Sequence, residues 1–157
     1  MNGLPWHPSI VHFPLALAVL TPVLGAILWW ATRSDDGLAQ RAFRLPFAAQ
    51  VVALITAIIA QRTGDGDHHR VEEVVDRALI HAHEQAGEFF TIATGVVLAA
   101  WFASAAAKEA KVARNAAILA ILLGLVAAGL GLRAGHFGGE LVYTHGAAEA
   151  WRAPVNP

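Results

Sequence analysis

The sequence has no cysteine, which excludes disulfides and thiolate metal sites. With a single tyrosine besides, coordination chemistry falls to imidazole and carboxylate. Charge is scarce: 15% of residues are charged and the formal net charge is −1. No basic stretch is interleaved with aromatics, so nucleic acid is excluded as a partner. No Ser, Cys and His nucleophile set and no phosphate loop is present, so hydrolase and nucleotide chemistry have no support. No enzymatic activity is assigned. What the chain has in quantity is apolar surface: 56% of its 157 residues are hydrophobic and the mean hydropathy is +0.50. That is too apolar for a soluble domain of this size.

The apolar residues fall in four charge-free runs: Ile10 to Ala31, Leu45 to Ala60, Phe89 to Ala107 and Ala116 to Leu132. Each is about long enough to cross a hydrocarbon core of roughly 30 Å at 1.5 Å per residue. Four uncharged runs leave no helix a polar outer face, which excludes a buried soluble bundle. The expectation is an all-α fold: a four-helix transmembrane bundle forming one membrane domain over 1–157. Spans are expected near 10–32, 45–62, 86–107 and 115–134, with a C-terminal tail over 137–157. Met1 to Pro8 carry no Lys or Arg, so the first run reads as a retained span and not a signal peptide. Arg33, Arg41 and Arg44 lie close to span ends in one loop, and Lys108, Lys111 and Arg114 in another. These loops are placed in the cytoplasm, with both termini and the long middle loop facing the periplasm or the outside.

Spans three and four are rich in Ala and Gly, including Ala99, Ala103, Gly124, Ala127, Gly129 and Gly131. Small residues let helices approach closely in lipid. An internal echo is visible. Each odd span is entered through two histidines, and spans two and four end in Arg62-Thr63-Gly64 and Arg133-Ala134-Gly135, which suggests a duplicated two-helix unit. Val71 to Phe90 reads as an amphipathic helix running into span three, with its valines on one face.

All eight histidines fall where the topology puts one side of the membrane. His81, Glu84 and Glu88 form a stripe opposite the valines, with His83 on a flank. Glu88 adjoins Phe89 near membrane depth, where a lone carboxylate is expensive and is expected to face the bundle interior. His7 and His12 enter span one around Pro8, Ser9 and Pro14. His136 and His145 bracket Gly138-Gly139, where a sharp reversal is expected to fold the tail back over the bundle mouth. His68 and His69 lie in an acidic, Gly-containing loop and are not counted as ligands. The expected metal ligands are His12, His81, Glu84 and His136. His83, Glu88, His7 and His145 are second choices or orienting groups. Arg62 and Arg133, at span ends, are candidates to pair Glu88 or haem propionates.

Several of these residues form a recognisable pattern. His7-Pro8, Val11-His12-Phe13-Pro14, His81-x-His83-Glu84 and Gly135-His136-x-Gly138-Gly139-Glu140-Leu141-Val142-Tyr143-x-His145-Gly146 resemble the bacterial membrane proteins grouped as domain of unknown function 2231. The resemblance covers nearly the whole chain. It implies four spans in a bacterial inner membrane and supplies no activity.

Three functions stay open on the sequence. The leading one is a transition-metal site (Fe, Zn or Cu) at the periplasmic mouth, for redox work or metal handling. The second is a b-type haem protein passing electrons between a membrane pool and a periplasmic partner. The third is a non-catalytic subunit whose histidines sense pH or hold the bundle shut. The partners expected are the bilayer and a periplasmic or membrane redox protein, and self-association stays open.

Overall fold

The computed structural model describes residues 5–152. Helices α1 (His7–Ile10) and α2 (His12–Ala31) form span one, α3 (Asp36–Ala42) and α4 (Arg44–Val71) span two, α5 (Arg77–Ala106) span three and α6 (Ala110–Tyr143) span four. A short 3-10 helix, Ala147–Trp151, closes the described chain, and 153–157 of the expected tail lie outside it. The four helical segments are long and apolar enough to cross a membrane. No strand occurs among the described residues.

Local chemistry sets the helix ends. Asp35 accepts a hydrogen bond from the Leu38 N–H at the start of α3, and Asp76 from the Ala78 N–H at the start of α5. Pro8, Pro14 and Pro46 sit in first turns, where a missing N–H costs little. Pro22 is inside α2; its ring fits over Gly124, whose absent Cβ would lie 3.1 Å from the proline Cβ.

The bundle is packed with small residues inside and large ones outside. Val23, Ile27, Ile55, Ile59, Ile92, Leu122 and Leu125 are exposed and form the lipid-facing surface. Trp30 and Phe102 are exposed toward the α2–α3 and α5–α6 turns, and Arg33 stacks over Trp30 at 4.1 Å. Trp6, Phe13 and Phe89 are exposed toward the other end. Aromatics at both ends of the apolar band are what a bilayer's two interfaces favour.

The echo in the sequence is a structural repeat. The buried face of span two, Ala39, Phe43, Pro46, Gln50, Ala53, Ala57 and Ala60, matches that of α6 at one constant offset: Ala113, Ala117, Ala120, Gly124, Ala127, Gly131 and Ala134. Pro14, Ala18, Thr21 and Gly25 of α2 match Phe90, Thr94, Val97 and Trp101 of α5 in the same way. One pair of polar contacts between the two units is reciprocal. Gln40 donates to the Lys108 carbonyl at 2.8 Å, and its counterpart Arg114 donates to the carbonyl of Thr32, the counterpart of Lys108. The two units are thus related by a pseudo-two-fold axis along the bundle. The sequence reading had paired Gly64 with Gly135; the packing pairs it with Gly138, because Ala60 and Ala134 share one buried position.

Three expectations are corrected. Gly64 and Gly66 do not open a loop: α4 continues to Val71 and carries His68 and His69 on its last turns. The amphipathic segment is broken, with Val71 ending α4 and α5 starting at Arg77. Gly138-Gly139 does not reverse the chain, since α6 runs on to Tyr143; the turn comes at Gly146, the only described residue with a positive φ (71°). Helix continues through the glycines because its backbone hydrogen bonds and the packing of Leu141 against Val75, Ile80 and Ala147 outweigh their flexibility.

Candidate functional site

Following the inward face of α2 back toward the chain start leads to His7, and following that of α5 leads to His83. His7 Nδ1 lies 2.7 Å from the Ala60 carbonyl oxygen, and His83 Nδ1 lies 3.1 Å from that of Ala134. A carbonyl oxygen only accepts, so Nδ1 carries the proton in both rings, and in each neutral ring Nε2 keeps its lone pair. Each contact depends on a glycine one turn further along. A Cβ on Gly64 would lie 3.0 Å from His7 Nδ1, and one on Gly138 would lie 3.0 Å from His83 Cε1. The local unit is therefore an imidazole laid on an Ala-x-x-x-Gly turn, built once in each half of the chain. The two rings, both half-buried, meet across the pseudo-two-fold axis with centroids 5.8 Å apart and planes at 83°.

A second group of side chains joins the ends of α4 and α5 beyond the charge-free stretches. His68 Nδ1 pairs with Glu84 Oε1, and His81 Nδ1 lies 3.3 Å from Glu84 Oε2. His68 Nε2 lies 3.4 Å from Glu72 Oε2, which also accepts from Arg77 at 2.8 Å; His69 Nδ1 lies 3.2 Å from Glu72 Oε1. The hydrogen bond to Glu84 raises the His68 pKa above its ordinary value, against partial desolvation. The hydrogen bond from His69, with help from Arg77, lowers that of Glu72. This network holds the end of α4 to the start of α5.

The remaining candidates are dispersed. His12 and His145 are exposed, and their rings have no hydrogen-bond partner among the described residues. His136 is exposed and lies 3.3 Å from Glu140 of its own helix. Glu88 is exposed, not inward, and with His81, Glu84, Gln85, Gln61 and Asp65 lines an open groove between α4 and α5. The expectation that His81, Glu84 and Glu88 share an inward face is therefore corrected: the inward positions of that stretch are Ile80, His83 and Ala86, since small and apolar-packed positions turn in and the rest turn out. Arg62 and Arg133 are exposed; Arg133 stacks over Phe137 at 5.3 Å and neither forms an ion pair among the described residues. Among those residues no three His, Asp or Glu side chains converge as they stand on a point where an ion would sit.

Sequence reasoning ranked His7 and His83 second and set His68 aside. The signal that finds the first two is the repeated Ala-x-x-x-Gly at 60–64 and 134–138, together with the small-residue stripe traced back to each histidine.

A helical bundle of two repeated two-span units, with lipid-facing apolar walls and a paired imidazole at one mouth, defines a multi-pass integral membrane protein. The model of the family of predicted membrane proteins called DUF2231 matches residues 3–150, and the chain belongs to that family. No curated protein and no solved structure matches it.

Proposed function

We propose that the protein binds a transition metal, as a bare ion or as haem iron, between His7 and His83 at the periplasmic mouth of its bundle, for redox work or metal handling. The observation that carries this reading is the fixed tautomer of both rings. Metal-ligating histidines donate their other ring N–H to a carbonyl or carboxylate, which orients the ring and raises its basicity. Both rings are held in that way, and both Nε2 lone pairs are left for a ligand. Iron, copper and zinc all accept imidazole nitrogen. The outward His12 and His136, first choices on the sequence, have no comparable support.

The test is elemental analysis and visible absorbance of protein purified in mild detergent from cells supplied with iron, copper, zinc and a haem precursor. A bound transition metal that is lost in His7→Ala and His83→Ala, and kept in His12→Ala, is the expected result. Metal-free, colourless protein, or metal indifferent to both substitutions, contradicts the proposal.

A second reading, pH sensing, is favoured by one observation: histidine–carboxylate pairs of His68, His81, Glu84 and Glu72 tie α4 to α5, and the hydrogen bond to Glu84 raises the His68 pKa.

A further inference from the structure

We infer that the bound group is a b-type haem, held between the two repeated units with His7 and His83 as its two axial ligands. This rests on the reading above and names its cofactor.

The first argument is ligand number. A bare zinc, copper or iron ion is held by about three or four protein donors. The axis offers two imidazoles, and no three-residue ligand group is formed among the described residues. Haem iron takes four nitrogens from its macrocycle and needs only two from the protein.

The second is distance. Two imidazole nitrogens each about 2 Å from one metal, on opposite sides of it, put the ring centroids about 6 Å apart. His7 and His83 stand 5.8 Å apart, close to that separation.

The third is equivalence. Ligand, carbonyl partner and glycine recur in both halves: His7, Ala60 and Gly64 in one, His83, Ala134 and Gly138 in the other. A group on the pseudo-two-fold axis meets the same chemistry from either side. A planar macrocycle with equal axial ligands fits that symmetry. The network of His68, Glu72 and Glu84 has no such counterpart, since the equivalents of His68 and Glu84 are Val142 and Pro8.

The chain's own part is to orient. Each Nδ1–H is fixed by a helix carbonyl, so each ring plane is set by its own two-helix unit, and the planes stand at 83°. Haem with near-perpendicular axial planes gives, in its oxidised low-spin state, an electron paramagnetic resonance signal with one dominant large g value.

The experiment is titration of the detergent-purified full chain with ferric haem, followed by absorbance and electron paramagnetic resonance. The expected result is one haem per chain, a low-spin bis-imidazole spectrum and the large-g signal. His83→Met retains a ligand atom and is expected to convert the spectrum to a His/Met type, which separates loss of a ligand from loss of the fold. Gly64→Val and Gly138→Val are expected to weaken binding to similar extents, tenfold or more by pushing the ring off its carbonyl. Zinc or copper held by both histidines, with no haem uptake, overturns the haem assignment and leaves the proposed function standing. No uptake of metal or haem overturns both. Haem that stays bis-imidazole in His7→Ala or in His83→Met overturns the axial placement.

Discussion

Replacing Gly25 with alanine tests the packing that places both units around one axis. The new methyl carbon would lie 2.5 Å from Trp101 Cη2, 2.6 Å from Cζ2 and 3.2 Å from Ile121 Cγ1. Trp101 is 0% exposed, so the indole has no free direction in which to yield. Gly25 and Trp101 occupy equivalent positions of the two units: one unit gives up its side chain and the other fills the shared space. Overpacking of this kind costs about 1–3 kcal/mol. Trp101→Ala removes the same indole and is expected to cost about 3 kcal/mol or more. The double variant is expected to be less destabilised than the sum of the singles by about 1 kcal/mol, because the clash disappears with the ring. The assay is unfolding in mixed micelles, followed by steric trapping or by loss of helicity with added denaturing detergent. Wild-type stability in Gly25→Ala, or strict additivity in the double variant, refutes the close approach across the axis.

Further outcomes follow from the polar contacts. Arg114→Ala removes a charge-assisted bond to the Thr32 carbonyl and the 3.1 Å contact to Asp36, and is expected to cost about 1.5–3 kcal/mol, against about 1 kcal/mol for Gln40→Ala, in the same unfolding assay. His68, ordinarily near 6.5, is expected to titrate higher by nuclear magnetic resonance of its ring protons, and to fall back in Glu84→Gln. Because its folded-state pKa is raised, the His68–Glu84 pair contributes fully below pH 6.5 and is lost as pH rises through the raised value. Stability that is unchanged by Glu84→Gln at pH 6 contradicts that linkage. Reporter fusions after Ser34 and after Asp67 are expected to report opposite compartments, Ser34 cytoplasmic; a shared compartment contradicts four spans.

The four spans were legible because charge-free runs of bilayer length have few other physical solutions. Their ends were not. The stretch Asp65 to Arg70 looks like a loop by its charge and glycines, yet it is helix, stabilised by the contacts of His68 with Glu72 and Glu84. Gly138-Gly139 looked like a turn for the same reason. The face of the third helix was misjudged for a different one. Setting polar residues opposite a valine face treats that face as the single apolar side of a soluble helix. In lipid the large apolar residues face out and the close-packed positions face in, so Phe89 and Ile92 are exposed while His83 and Ala86 turn toward the axis. Read by small residues instead, the stripe Ala86, Phe90, Thr94, Val97 and Trp101 leads back to His83, and Pro14, Ala18, Thr21 and Gly25 lead back to His7. The duplication was partly visible, but its register needed the packing of Gly64 against His7 and of Gly138 against His83.

The most direct measurement is the absorbance spectrum and metal content of wild type beside His7→Ala, His83→Ala, His12→Ala and His136→Ala, all purified from the same growth. The paired-imidazole site predicts a chromophore or metal present in wild type, kept in the His12 and His136 variants, and lost or altered in both the His7 and His83 variants. A signal abolished by His12→Ala or His136→Ala but untouched by His7→Ala and His83→Ala would contradict it.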